Sequence, residues 1–110
     1  MKDDRIYLTH VIEACDKIQK YTVGISVEEF IGNDMMFDAT TREIMIIGEA
    51  VTNISDDFKN EHLDIPWHKM IGMRNRLIHA YFGVDPEMVW ETVRIDVPEL
   101  RAFVAIVLKK

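Results

Sequence analysis

The chain has 110 residues, the usual size of one domain, so we expect residues 1–110 to fold as a single unit. It is 48% hydrophobic and 29% charged, with only five glycines and three prolines, which excludes collagen-like, low-complexity and disordered classes. The net charge of −6 argues against general, charge-driven binding of nucleic acid. Any such activity must therefore come from a local patch.

The sequence predicts a cytoplasmic protein that makes no contact with a membrane. Its apolar runs are too short to span a bilayer, and the opening residues MKDDRIYLTH lack the apolar core of a signal peptide. A lone cysteine, Cys15, cannot form an internal disulfide and fits a reducing compartment. Because Cys15 lies on an apolar stripe, we expect it in the core rather than as a nucleophile.

Apolar residues recur every three or four positions through most of the chain, which is typical of amphipathic helices. The first predicted helix covers residues 3–22 and is ended by Gly24. Ser26 and Glu29 have the spacing of a capping box, which predicts a short second helix through Phe30.

The third predicted helix begins at Asp34, and its apolar stripe continues over six turns to Phe58. Its middle, IMIIGEA, is nearly apolar all round, so we expect this helix to be central. Gly48 lowers helix propensity there, and we expect another backbone to approach closely at that position.

The second half of the chain predicts three more helical stretches. Residues 59–65 are interpreted as a connection, and Pro66 is well placed in the first turn of a helix that continues to Gly83. Asp85 restarts a helix in the same way, and the Asp-Val-Pro-Glu segment that begins at Asp96 is interpreted as a further N-terminal cap.

These patterns together predict an all-α, up-and-down bundle of four long helices with one or two short ones. Seven methionines, two tryptophans and the nearly all-apolar segment 44–47 suggest that part of the surface is reserved for a partner. A homodimer is the simplest expectation.

One segment departs from the acidic average of the chain. Residues 65–84 contain no Asp or Glu, whereas Lys69, Arg74 and Arg76 give the segment a charge of +3. Such an island in an acidic protein is what a local phosphate site needs. The alternative is a helix whose arginines pair with acidic neighbours such as Glu49, and composition alone favours that alternative.

Helical geometry places the polar residues of this segment on different faces. Arg74 and His79 lie about 140° apart, whereas Asn75 and His79 lie close together, and Arg74, Ile78 and Tyr81 form another stripe. Arg74 could wrap toward His79 near the helix end, or two copies could face each other across a dimer axis. Both arrangements remain open at this stage.

The segment RNRLIHAY, residues 74–81, resembles the R-x-x-x-x-H-x-Y motif of the HepT-like toxins, helical ribonucleases of the HEPN superfamily. The motif alone is weak, but its flanking sequences follow the family pattern in the same order. They are DDRIYL near the start, IIGEA (46–50), IPW (65–67), GMRNRLIHAYFGVD (72–85), VW (89–90) and VPEL (97–100). The resemblance covers essentially the whole chain and implies one HepT-like HEPN domain over residues 1–110.

The resemblance implies a dimeric endoribonuclease toxin that needs neither a metal nor a cofactor. It implies an MNT-type nucleotidyltransferase as antitoxin, which transfers AMP from ATP onto the tyrosine of the H-x-Y motif, here Tyr81. The catalytic residues implied are Arg74 and His79. An AMP group on Tyr81 would block the cleft and add negative charge where RNA phosphate binds; without the resemblance, Tyr81 is an ordinary half-buried aromatic.

The residue types suit this chemistry. RNA carries its own nucleophile, the 2′-hydroxyl, so cleavage needs a proton acceptor, a proton donor and charge stabilisation at phosphorus. His79 can serve either proton role, and the guanidinium of Arg74 can hold the phosphate. We expect Asn75 to orient His79 or contact the phosphate, and Arg76 and Lys69 to attract the RNA backbone.

Three further residues complete the sequence-based expectations. Glu49 is a carboxylate in a nearly apolar stretch, so we expect it to pair with one of the two arginines and orient the motif. Trp67 and Phe82 could stack on bases, but packing in the core is the expected role of both.

A rival function is a non-catalytic HEPN subunit that docks a nucleotidyltransferase or a nucleotide. A purely structural helical bundle is a third.

Overall fold

The computed structural model describes residues 2–110, with side chains from residue 4 onward, and all regular secondary structure in this part is helical. The helices are α1 (Lys2–Thr22), α2 (Val27–Ile31), α3 (Asp34–Asn53), α4 (Asp56–Asn60), α5 (Trp67–His79), α6 (Pro86–Glu91) and α7 (Val97–Lys109). A π-helical segment, Thr92–Asp96, joins α6 to α7 without a break. When α6, the π-helical segment and α7 are counted as one continuous helix, the described residues form four long helices and two short ones. This confirms the predicted all-α class.

Contacts at the helix ends define the direction of α1. Arg5 at its start donates a hydrogen bond of 2.9 Å to the carbonyl of Leu108 near the end of α7. Asp4, in the same turn, accepts hydrogen bonds from the backbone and hydroxyl of Ser55, just beyond α3. α1 is therefore antiparallel to both α3 and α7.

The remaining long helices continue the up-and-down order. Arg74 in α5 packs against the C-terminal half of α3, whereas Asp38 near the start of α3 contacts Tyr81 beyond the end of α5. α3 and α5 are therefore antiparallel. Arg76 near the end of α5 contacts Met88 in α6, whereas Lys69 at the start of α5 pairs with Asp96, so the chain from α6 to Asp96 runs back along α5. α7 then continues beside α1.

The core lies between the four long helices. Its fully buried side chains come from every one of them, including Val11, Ile47, Met70 and Val104. Cys15 is also buried, and burial raises the pKa of its thiol to about 12, which confirms that it belongs to the core. No helix in the described part of the chain has the length and apolar character required to cross a bilayer.

The predicted continuation of the third helix to Phe58 is wrong. α3 ends at Asn53, and Ser55 caps a separate short helix, α4, by accepting a hydrogen bond from the backbone of Phe58. The two bonds from Ser55 to Asp4 fix this break through a contact with α1. Since α4 extends to Asn60, the connection predicted for residues 59–65 is also slightly shorter than expected.

The capping role predicted for Asp96 is wrong as well. Asp96 has right-handed helical backbone angles, and its side chain makes no capping bond. The helix instead passes through the π-helical segment just before Pro98. Proline has no N–H, and its ring clashes with the carbonyl four residues earlier, so a local widening lets the helix continue without a break.

Gly48 shows why α3 and α5 can approach so closely. A Cβ at Gly48 would lie 2.2 Å from the Cβ of Arg74 and 2.9 Å from the backbone oxygen of Met70. The approach expected from the sequence is therefore present, and it involves the helix that carries the R-x-x-x-x-H segment.

Candidate active site

Arg74 is held in a fixed position between α3 and α5. Its Nη2 forms an ion pair of 2.7 Å with Glu49, and its Nη1 donates to the Oδ1 of Asn75 at 2.9 Å. The Nε atom is buried and has no hydrogen-bond partner among the described residues. Of the two arginines considered as partners for Glu49, Arg74 is the one that meets it.

Asn75 therefore contacts Arg74 rather than His79. His79 is the last residue of α5, its side chain is exposed, and it has no hydrogen-bond or ion-pair partner in the part of the chain that the structure describes. Within one copy, the structure gives no contact between Arg74 and His79. The imidazole remains accessible to a substrate or to a second copy of the chain.

Tyr81 lies outside α5, in a 3-10 turn that covers Tyr81–Gly83, so the predicted continuation of the helix to Gly83 is wrong. Its hydroxyl donates a short hydrogen bond to the carboxylate of Asp38 on α3. This bond raises the pKa of Tyr81, and partial burial raises it further. The hydroxyl is thus fixed to α3 rather than aligned with the helical stripe of Arg74.

Lys69 and Arg76 occupy a different side of α5 from Arg74, since Arg76 is about 200° from it around the helix. Lys69 forms an ion pair of 3.2 Å with Asp96, and Arg76 donates to the sulfur of Met88 at 2.7 Å. Both are exposed, so the positive charge of the acid-free segment is divided between two faces.

The two aromatic residues near the motif behave differently. Trp67 is 3% exposed and its indole donates to the carbonyl of His62, which confirms its expected place in the core. Phe82 is 100% exposed, so the expectation that it packs in the core is wrong. The 3-10 turn directs its ring to solvent, beside the ring of Tyr81.

The sequence-based prediction of the site did not include two residues of this region. Asp38 lies in α3, far from the motif in sequence. Because α3 contains several acidic residues, no sequence signal distinguishes Asp38 from the others. Asp96 is interpreted from the sequence as a cap because Glu99 follows it at capping-box spacing. Its burial and its pairing with Lys69 depend on how the helices pack, so no signal in the sequence indicates them. Among the described residues, no three His, Cys, Asp or Glu side chains form a group that could hold a metal ion.

Comparison with known proteins gives the class of the protein. Residues 11–107 match the family model described as "Ribonuclease HepT-like". The match covers most of the chain, and the chain belongs to the HepT-like ribonuclease family. The R-x-x-x-x-H-x-Y segment described above lies inside the matched region.

Individual relatives agree with this assignment. A protein of Caldanaerobacter subterraneus subsp. tengcongensis, named "Putative RNase TTE0752", is 40% identical over 110 residues, which cover 100% of this chain and 98% of the relative. The "Probable ribonuclease HepT" of Thermococcus cleftensis is 45% identical over 95 residues, 86% of each chain. The "Putative RNase MJ1380" of Methanocaldococcus jannaschii is 39% identical over 106 residues, 96% of this chain and 97% of the relative. No solved structure matches the chain significantly.

Proposed function

We propose that this protein is a metal-independent endoribonuclease toxin of a HepT/MNT-type toxin–antitoxin module, formed by residues 1–110 as a single HEPN domain in the cytoplasm. The observation that carries the proposal is that one helix holds both a guanidinium in a fixed position and an exposed imidazole that has no partner among the described residues. Arg74 is held by Glu49 and Asn75, and the exposed His79 follows at the end of α5.

In the proposed reaction, the 2′-oxygen of a ribose attacks the adjacent phosphorus, and the bond from phosphorus to the 5′-oxygen breaks. His79 of one copy accepts the proton of the 2′-hydroxyl, and His79 of a second copy donates a proton to the leaving 5′-oxygen. Arg74 stabilises the charge that develops on the phosphoryl oxygens. The products are a 2′,3′-cyclic phosphate and a 5′-hydroxyl.

A homodimer supplies what one copy lacks. The imidazole is accessible within one copy, and the described residues provide no second imidazole in contact with it. In the proposed dimer the two-fold axis passes beside the end of α5, so that Arg74 and His79 of both copies lie in one cleft. The side chains of Ile78 and Phe82 beside the motif are apolar and exposed, so they are suited to such an interface.

Regulation by an MNT-type nucleotidyltransferase is the second part of the proposal. Transfer of AMP from ATP to the hydroxyl of Tyr81, with release of pyrophosphate, would place a negatively charged phosphodiester near the exposed His79. The added charge and bulk would exclude an RNA phosphate. The bond from Tyr81 to Asp38 supports this role, because it keeps the hydroxyl on the surface between α3 and α5.

The proposal is tested by incubating the purified protein with total RNA and tRNA in EDTA, alongside His79→Ala and His68→Ala. His68 is the matched control, since it is also an exposed histidine on α5. We expect cleavage by the unaltered protein and His68→Ala, and loss of at least about 100-fold for His79→Ala, the scale of a general acid or base.

Equal cleavage by His79→Ala with its helical circular dichroism retained would contradict the assigned site. If none of the proteins cuts RNA and mass spectrometry finds no AMP on Tyr81, the non-catalytic binding subunit becomes the better account.

A further inference from the structure

A cavity of about 300 Å³ lies between α5 and the helix that follows, on the side of α5 away from Arg74. Two cations, two acids and two thioethers line it. They are Lys69 and Arg76, Glu91 and Asp96, and Met73 and Met88. Because its positive and negative side chains balance, this cavity is not built for a bare phosphate.

Gly72 forms an open part of the cavity wall. It lies in the middle of α5 and is exposed, and a Cβ at this position would have no neighbouring atom within 4 Å outside its own helix. Glycine weakens a helix, and nothing within the described chain approaches closely enough to require it here. Gly48, in contrast, is explained by the packing of α3 on α5. The absence of a side chain at Gly72 leaves room for a molecule from outside.

Asp96 supplies a hydrogen-bond acceptor at the opposite wall. Its side chain is 8% exposed, and its Oδ1 pairs with Lys69 at 3.2 Å, whereas its Oδ2 has no partner among the described residues. The π-helical segment Thr92–Asp96 places it there, and such segments are frequent at functional sites. Glu91, one turn away, is exposed on the same wall and offers a second carboxylate.

A neighbouring cavity lies between this one and the candidate active site. This second cavity, of about 270 Å³, shares Arg76 and Met88 with the first and extends to Ala80 and Gly83. These two residues flank the turn that carries Tyr81, immediately after His79. The two cavities together form a groove along α5 from Lys69 to the end of the helix, about 15 Å away, and the contact between Arg76 and Met88 lies between its two halves.

We propose that this cavity binds one unpaired base of the RNA substrate, and that it favours a base with an exocyclic amino group over uracil. The inference rests on the proposed function, which makes RNA the substrate. Carboxylates accept hydrogen bonds from such amino groups, and proteins recognise splayed bases by hydrogen bonds to their edges and by stacking on arginine. Here Glu91 and Asp96 are the acceptors, the guanidinium of Arg76 stacks on the base, and the flexible thioether side chains of Met73 and Met88 pack against its apolar faces.

The test is an NMR titration of ¹⁵N-labelled protein with AMP, CMP, GMP and UMP. We expect saturable shifts at the amides of Gly72 and Thr92 for the first three nucleotides, with at least about fivefold weaker binding of UMP. Gly72→Leu fills the cavity and should abolish these shifts. Ala102→Leu is the control, because Ala102 is an exposed helical residue on α7 and the added side chain is of the same kind.

The carboxylates are tested separately. Glu91→Gln and Asp96→Asn retain the shape of each side chain but add an amide donor, so we expect the preference to shift toward UMP. Glu91 is exposed, so Glu91→Gln keeps this test available should Asp96→Asn fail to fold.

The titration does not require cleavage, so the two proposals fail separately. Absence of shifts at Gly72, or unchanged binding by a folded Gly72→Leu, overturns the base pocket even if the protein cuts RNA. Absence of cleavage together with selective shifts at Gly72 overturns the proposed function and leaves a nucleotide-binding cavity.

Discussion

At the scale of single residues, the site depends on polar contacts between α3 and α5. Glu49 on α3 holds the guanidinium of Arg74, and Asp38, three turns earlier, holds the hydroxyl of Tyr81. Both acids come from a helix distant in sequence from the motif they contact. The R-x-x-x-x-H-x-Y motif and the carboxylate of Glu49 are recognisable from the sequence, but Asp38 is not, because side-chain contacts between helices depend on how the helices pack.

Glu49→Gln should reduce kcat about tenfold, equivalent to ~1.4 kcal/mol, while the melting temperature changes little. The rate falls because the neutral amide is a weaker partner for Arg74 and holds its guanidinium less firmly. The stability changes little because an ion pair with a 59% exposed carboxylate contributes little to it. Steady-state kinetics on a defined RNA measures the effect. Glu13→Gln, on the exposed face of α1, is the control, and Glu49→Asp should restore part of the rate. Unchanged kcat for Glu49→Gln would show that Glu49 does not orient Arg74.

Asp38→Asn should lower the pKa of Tyr81 toward its ordinary value of 10.0, because the carboxylate that favours the protonated phenol is removed. In the unaltered protein the raised pKa stabilises the fold below pH 10.0, and this contribution is lost as the pH rises through the folded-state value. The absorbance of phenolate during an alkaline titration measures the shift. Subtracting the curve of Tyr81→Phe removes the signals of Tyr7 and Tyr21. Identical titration of Tyr81 in both proteins would show that the bond to Asp38 is absent in solution.

At the scale of elements, periodicity predicted the helices well and their interruptions poorly. The first helix, the capping box at Ser26 and the approach at Gly48 were confirmed, since these depend on local propensity and patterning. The break at Ser55 was missed because its cause is Asp4, in another helix. The unbroken passage through Pro98 was missed because a π-helical turn has no clear local signature.

The two helical glycines should respond in opposite ways to alanine. Gly48→Ala forces a methyl group to within 2.2 Å of the Cβ of Arg74, so we expect a loss of about 1–3 kcal/mol in the free energy of unfolding. Gly72→Ala meets no neighbour and should gain about 0.5–1 kcal/mol from helix propensity. Urea unfolding followed by circular dichroism compares them directly. A stable Gly48→Ala variant would mean that α3 and α5 are further apart than described.

At the scale of the whole molecule, a net charge of −6 gives no general attraction for RNA, and two of the three cations of α5 are paired, Arg74 with Glu49 and Lys69 with Asp96. In our proposal, RNA binding therefore depends on specific contacts at the site. The sequence shows that residues 65–84 contain no acids, but it does not show that their cations lie on two sides of α5. Arg74 lies on the side of α5 that faces α3, whereas Lys69 and Arg76 line the groove on the other side. In our proposals, chemistry takes place at one face of α5 and the flanking RNA binds at the other.

The most direct test of the central claim uses one RNA oligonucleotide in two forms, an all-ribose strand and a strand with a single 2′-deoxy substitution at the cleaved nucleotide. Because the 2′-oxygen is the proposed nucleophile, the purified protein in EDTA should cut the first strand to a 2′,3′-cyclic phosphate and a 5′-hydroxyl and leave the second uncut at that position. Cleavage of both strands at equal rates would contradict the account, since neither the 2′-hydroxyl nor a proton transfer from it to His79 would then be part of the reaction.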